Sequence, residues 1–213
     1  MPFIGQQFPD ITVNAMDEMG DTKTINVLDL AKRNKTKVLL FWYPKDFTFV
    51  CPTELHAFQA ALPEFNSRNT IVIGASCDTP EVHFAWLNTP KDDGGIEGIT
   101  FDLIADSNRN LSGILGILDG RVSTPKSEGF ASPLLEGDNV TYRATYLIDE
   151  EGVVFHEGVN HMPLGRNVSE YIRLIDAFTH VQKKGEVCPA NWETGKEALT
   201  EDRAGVSEYL TAH

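Results

Sequence analysis

Residues 38–43 read VLLFWY, an unbroken apolar run. A strand with one wet face alternates apolar and polar positions, so a strand that is apolar at every position must be covered on both faces. That places it inside a sheet and demands helices above and below. The chain supplies both. TIVIGAS, Thr70 to Ser76, is a second strand of this kind, and Phe101 to Ala105, Tyr142 to Ile148 and Val153 to Val159 also carry strand patterns. Leu55 to Phe65, Val82 to Leu87 and Leu111 to Leu118 read as helices. Strands alternating with helices predict an α/β layer fold.

Ile11 to Met16 and Thr24 to Leu28 flank the turn-rich MDEMGD and predict a hairpin ahead of the main sheet. Asn167 to Val181 is the clearest helix: Val168, Tyr171, Ile172, Ile175 and Phe178 recur at helical spacing. Asn167 with Glu170 resembles a capping box, and Lys183, Lys184 and Gly185 close the far end. From Glu186 onward apolar residues thin out, which predicts an arm. The expected organisation is one domain over 1–185 and an arm over 186–213. Gly120 to Asn139, with Pro125 and Pro133, is the one long stretch without periodicity and reads as a loop.

FVCPTE, residues 49–54, follows the first buried strand. Pro44 ends the strand pattern, and Pro52 suits the first turn of a helix. A helix starting near Cys51 puts that sulfur where unpaired backbone N–H groups and the helix dipole favour an anion, such as a thiolate. The chain has three cysteines and no C-x-x-C pair, which excludes a thioredoxin-type local dithiol. Cys77, at the end of TIVIGAS, reads as a core thiol. Cys188, in GEVCPANW, lies in the poorly periodic tail, where it makes sense as a thiol that attacks oxidised Cys51. His56 follows Cys51 by five residues, but the sequence places no Asn or Asp to orient it for a Cys–His hydrolase. No ligands cluster at zinc-site spacing.

Eighteen Lys and Arg residues against 31 Asp and Glu give a formal charge of −13. Such a surface repels phosphate backbones and anionic lipid heads, which argues against nucleic-acid and membrane-surface roles. No apolar stretch reaches the roughly 18 residues of a membrane span. MPFIGQQFPDI lacks the basic and apolar regions of a secretory signal. The expectation is a cytoplasmic protein whose thiols stay reduced.

FWYPKDFTFVCPTEL resembles the active-site segment of the peroxiredoxins, P-x-x-x-T-x-x-C. GEVCPANW resembles the resolving-cysteine segment of the typical two-cysteine subgroup, which includes the alkyl hydroperoxide reductase peroxidase subunits. HFAWLNTPKDDGG and the stretch from YRATYLIDEEG to GRNVSEYIRLIDAF also match, so the resemblance runs from about residue 3 to 210. It implies a thioredoxin fold with an N-terminal extension and a C-terminal arm. It implies reduction of hydrogen peroxide and organic hydroperoxides, with Cys51 as the peroxidatic thiolate. Thr48 would hydrogen-bond the peroxide, Pro44 would shield the site from water, and Arg143 would stabilise thiolate and transition state. Glu54 and Arg166 would hold Arg143 in place. Read without the resemblance, Arg143 and Arg166 are ordinary surface charges. Cys188 would condense with the Cys51 sulfenic acid across a homodimer, itself part of a decamer. Thioredoxin or a dedicated flavoprotein disulfide reductase would reset the disulfide, and no metal or organic cofactor is implied.

Over-oxidation-prone members carry a GGLG loop and a C-terminal YF helix. Here Gly94-Gly95-Ile96-Glu97-Gly98 and Tyr209-Leu210 are near misses, which implies intermediate sensitivity with Tyr209 over the Cys51 helix. The 120–139 stretch is longer than the subgroup leads one to expect. A redox relay or holdase chaperone on the same ring is the alternative from another class, and a one-cysteine mechanism is the alternative among enzymes.

Overall fold

A computed structural model of the chain describes residues 2–123 and 134–212. Strands β1 (Thr12–Met16) and β2 (Thr22–Asn26) form the expected antiparallel hairpin. The second strand begins and ends two residues earlier than the apolar pattern suggests, because the chain leaves β2 directly into helix α1 (Val27–Asn34). Asn26 is the reason. Its side chain accepts the Asp29 amide, 3.1 Å away, which satisfies one of the unpaired donors at a helix start. The buried run is β3 (Lys37–Trp42). Helices α2 (Cys51–Ala60) and α3 (Leu62–Ser67) replace the single expected helix. Pro63 lacks an N–H and suits a first turn, so a new helix begins there.

Next come β4 (Thr70–Ser76), α4 (Pro80–Leu87), a 3-10 turn at Lys91–Asp93, β5 (Leu103–Ala105) and α5 (Asn110–Leu115). The 120–139 stretch, read as a loop, instead contains a two-stranded ribbon, β6 (Arg121–Ser123) antiparallel to β7 (Leu134–Glu136). The residues between, with Pro125 and Pro133, lie outside the described ones. β8 (Arg143–Ile148) and β9 (Val154–Asn160) complete a seven-stranded sheet of order β2-β1-β5-β4-β3-β8-β9. β3, β4 and β5 are parallel, and β8 runs antiparallel to β3 with Phe41 opposite Thr145.

Alternation along the strands sorts the interior into two layers. Val38, Leu40 and Trp42 share one layer with Ala144, Tyr146 and Ile148, and with Val27 and Ala31 of α1 and Leu111 and Leu115 of α5. Leu39, Phe41 and Tyr43 face the other way. Phe41 stacks on Phe58 of α2 with ring centroids 4.1 Å apart and meets Phe101 edge-on at 5.6 Å. VLLFWY is apolar throughout because each of its faces carries helices, and all six side chains are fully buried. Since Phe41 opposes Thr145, Arg143 lies on the α2 side of the sheet as well.

The chain divides into two compact units, Met1–Arg166 and Asn167–His213. The boundary falls ahead of α6 (Val168–Lys184) rather than at residue 185, because the tail is tied to that helix. Arg173 donates to the Trp192 carbonyl at 3.1 Å, Thr194 to Asp176 at 2.9 Å, and His180 pairs with Glu186 at 2.8 Å. Asn167 caps α6 by accepting from the Ser169 amide and hydroxyl, while Glu170 pairs with Arg173; Gly185 ends the helix in the left-handed conformation. The arm also holds a helix that the sequence pattern does not suggest, α7 (Arg203–Ala212). Asp202 accepts the Gly205 amide at its start, a cap hidden in a polar stretch.

Phe41→Ala removes the ring on which α2 rests. The expected loss is about 3–5 kcal/mol of unfolding free energy, checked by urea denaturation of the reduced protein.

Candidate functional site

Tyr43 ends the buried strand with its amide bonded to the Ala75 carbonyl, and Thr141 donates to the Tyr43 carbonyl at 2.9 Å. From this fixed point the chain loops through buried Pro44 and enters α2 at Cys51, its first residue. The Thr48 hydroxyl donates to the Lys45 carbonyl at 2.9 Å, closing the loop on itself. Phe47 takes a left-handed backbone at φ 54°, unusual for an aromatic residue, and its ring packs 5.8 Å from that of Trp86. Cys51 is completely buried.

Arg143 starts β8 on the α2 side, and its Nη1 lies 3.4 Å from the Cys51 sulfur. The same Nη1 donates to Glu54 Oε2 at 2.6 Å, and Nε donates to the Met162 carbonyl. Glu54 sits three residues beyond Cys51, one helical turn on. Its Oε1 accepts from the Arg166 amide and Nε, both at 2.9 Å, and its Oε2 also accepts from Arg166 Nη2 at 2.8 Å. Arg166 Nη1 reaches the Ala144 carbonyl at 2.9 Å, and its guanidinium lies 5.1 Å from the centre of the Phe41 ring. The side chains of Arg143, Glu54 and Arg166 are 4%, 3% and 1% exposed. The reading of both arginines as surface charges is therefore wrong. Arginine is tolerated in the interior only where its donors and charge are met, and Glu54 meets both.

Two guanidiniums against one carboxylate leave one positive charge in a dry site. The Cys51 sulfur lies against it. An anionic sulfur beside a fixed guanidinium is a nucleophile already facing the donor that a developing negative charge requires.

The other expected site residues fall outside this cluster. Trp86 Nε1 donates to the Gly94 carbonyl at 3.1 Å. His56, weighed as a catalytic base, is placed by Nε2 at 3.1 Å from the Gly95 carbonyl, joining α2 to the near-miss glycine segment. A Cβ on Gly95 would meet the Thr89 carbonyl oxygen at 1.9 Å, so glycine is required there. Cys188 lies in the second unit, with its sulfur 3.7 Å from the Ala177 carbonyl. Burial pushes the Cys188 thiol up despite the opposing charge of Arg173. Tyr209, on α7, lines a hollow of the second unit with Asn191, Trp192 and Lys196. Cys77 is buried 3.7 Å from the Ser112 hydroxyl, and burial raises its thiol too. The sequence reading missed the aromatic bed under Arg166 and the anchoring of Arg143 by the Met162 carbonyl. The first was traceable through the Phe41 and Phe58 positions; the second, a backbone contact, had no residue-type signal.

A buried cysteine at a helix start, faced by an arginine that a carboxylate holds, on a thioredoxin-type sheet, defines a thiol peroxidase. Residues 4–157 match the AhpC/TSA family, and residues 177–212 match the C-terminal domain of 1-Cys peroxiredoxin. Alkyl hydroperoxide reductase C of Buchnera aphidicola subsp. Baizongia pistaciae is 39% identical over 204 residues, spanning 95% of this chain and 93% of that protein. Peroxiredoxin-1 of Gekko japonicus is 37% identical over 211 residues, spanning 99% and 96%. The crystal structure of reduced 2-Cys peroxiredoxin from Plasmodium vivax aligns with a TM-score of 0.87 at 36% identity, covering 99% of this chain and all of that one. The chain belongs to the AhpC/TSA family of peroxiredoxins and is a thiol-dependent peroxidase.

Glu54→Gln keeps the shape of the side chain but strands two buried guanidiniums. The expected cost is about 3–5 kcal/mol of stability, measured by chemical denaturation. A loss below about 1 kcal/mol, the worth of a surface pair, would show that the arginines do not depend on this carboxylate.

Proposed function

We propose that Cys51 is the peroxidatic residue and that Cys188 of a second copy resolves it. The observation that carries this reading is the Cys51–Arg143 contact at 3.4 Å within the Glu54-bridged arginine pair. The Cys51 thiolate attacks the terminal oxygen of the hydroperoxide. The S–O bond forms as the O–O bond breaks; the sulfur is oxidised to a sulfenic acid, and the departing oxygen takes a proton and leaves as water or an alcohol. Arg143 faces the charge that develops on the oxygens. The Thr48 hydroxyl turns from the Lys45 carbonyl to the peroxide, and Pro44 keeps water out. The Cys188 thiol then attacks the sulfenic sulfur, and the disulfide forms with release of water.

A fully buried Cys51 cannot meet a second sulfur while the first turn of α2 stays folded, so that turn opens in each cycle. A thioredoxin-like protein or a flavoprotein disulfide reductase returns both thiols by exchange. The working form in this reading is a homodimer within a decamer. Three free thiols suit a reducing compartment such as the cytosol. Gly94 and Gly95, joined to α2 through His56, and Tyr209 on α7 set how readily that turn opens, and so how far Cys51 over-oxidises.

The match of residues 177–212 to a domain named for one-cysteine enzymes favours a second reading, in which an outside thiol resolves Cys51. A non-reducing gel after one equivalent of hydrogen peroxide separates the two. The expected result is a covalent dimer in the wild type and in Cys77→Ser, and none in Cys51→Ser or Cys188→Ser. Monomer throughout, with thiols consumed, supports the one-cysteine reading. Arg143→Lys keeps a charge but loses the planar fork, and is expected to slow single-turnover oxidation by about 100-fold in stopped flow. A chain ending before Tyr209 is expected to give less sulfinic acid at high peroxide, read by mass spectrometry; an unchanged yield removes Tyr209 from this role.

A further inference from the structure

Directly before the peroxidatic helix, the loop carries a buried acid that the peroxidase chemistry leaves unused. Asp46 is 2% exposed and lies between Pro44 and Thr48. Its Oδ2 is 2.7 Å from His83 Nδ1, and both side chains are fully buried. The other ring nitrogen, His83 Nε2, is 3.1 Å from the Ile104 carbonyl, which can only accept. Nε2 therefore carries a proton, and Nδ1 faces a carboxylate. An imidazolium donating from both nitrogens meets Asp46 Oδ2 and the Ile104 carbonyl, whereas a neutral ring would turn a lone pair toward the carboxylate.

The groups around this pair come from several elements. The Tyr43 hydroxyl, at the end of β3, is 3.5 Å from Nδ1; burial, reinforced by Asp46, holds it far above the usual phenol range, so it stays neutral. Asp78, after β4, accepts the Asp46 amide at 2.9 Å and the Ser76 hydroxyl at 2.7 Å. Ile104, on β5, contributes only its carbonyl. Burial alone would push the His83 ring down, but the bond and charge of Asp46, with the Ile104 carbonyl and the Asp78 charge, outweigh it and leave the ring above the ordinary histidine value. Burial raises Asp46 in turn, against the pull of His83. The folded pair thus keeps one proton that a separated Asp and His would release near neutral pH.

We propose that the His83–Asp46 pair is a proton-dependent latch that positions the peroxide-binding loop, with His83 and Asp46 as positioning residues for Thr48 and Cys51. Two neighbouring loop residues are gripped by two residues about one turn apart on α4: Asp46 by His83, and Phe47 by Trp86. Phe47 needs that grip because its left-handed backbone is one an aromatic side chain adopts only under external constraint. When the proton leaves, the carboxylate faces an unprotonated nitrogen and the loop loses its anchor. The sign comes from the raised His83 value: the latch is fully closed below the ordinary histidine range and opens as pH rises through the raised one.

The proposal rests on the peroxidatic role of Cys51 and the peroxide-binding role of Thr48. Those roles fail separately, if Thr48→Val oxidises as fast as the wild type at neutral pH. The test is single-turnover oxidation of the reduced full-length protein by hydrogen peroxide from pH 6 to 10, followed by tryptophan fluorescence. The wild type is expected to show an alkaline limb on which the rate falls by about tenfold, less than the roughly 100-fold that a 1 Å misplacement can cost. In Asp46→Asn the amide donates to a neutral His83, so the alkaline limb is expected to vanish. A wild type without an alkaline limb, or an Asp46→Asn protein that keeps it, overturns the proposal. Should Asp46→Asn not fold, nitrogen-15 NMR of the wild type decides: both His83 ring nitrogens are expected to be protonated at pH 7, and an unprotonated Nδ1 there overturns it.

Discussion

The site hangs on one carboxylate. Glu54 accepts from Arg143 and from three nitrogens of Arg166, all in the dry interior. Without it, two guanidiniums would repel each other in a medium that screens little. With it, they form a rigid platform with a single positive charge to spare, and the Cys51 sulfur lies against that charge. Glu54 belongs to the same helix as Cys51, one turn on. The carboxylate that orders the arginines is therefore fixed relative to the sulfur by helix geometry alone, and opening that turn separates them together.

The fold serves this arrangement from beneath. Phe41 stacks under Phe58 of α2 and also lies under the Arg166 guanidinium. The ring thus seats the helix and the charge cluster at once, which links the packing of the sheet to the chemistry above it. The loop from Pro44 to Val50 has no regular hydrogen bonding of its own. It is held from outside, by Asp78 and His83 through Asp46 and by Trp86 through Phe47. A loop secured by a few named side-chain contacts is held independently of the sheet's own hydrogen bonds.

Much of the fold could be read from the sequence because its signals are local. VLLFWY and TIVIGAS announced strands covered on both faces, and Asn167 and Gly185 bracketed α6 nearly to the residue. The errors were local too. Asn26 capped a helix where an apolar pattern carried the strand on to Leu28, Pro63 split one helix into two, and Asp202 started α7 in a stretch too polar to suggest one. In each case a single side chain or ring decided the backbone over the surrounding pattern.

The sequence by itself determined which residues could do chemistry: a cysteine ahead of a proline at a helix start, an acid one turn later, and a second cysteine in the tail. Composition and periodicity left Arg143 and Arg166 as surface charges, and only the resemblance to the peroxiredoxins pointed to a place for them beside Cys51. Their partner Glu54 lies 89 residues from the first and 112 from the second. Periodicity and propensity act over a few residues, whereas these contacts depend on β8 pairing with β3 so that Phe41 opposes Thr145. A one-residue slip of that register would turn Arg143 to the other face of the sheet. Only the tertiary structure brought these two arginines together as a buried pair beside the Cys51 sulfur, because burying them is bearable only where strand register and helix geometry bring them to one carboxylate.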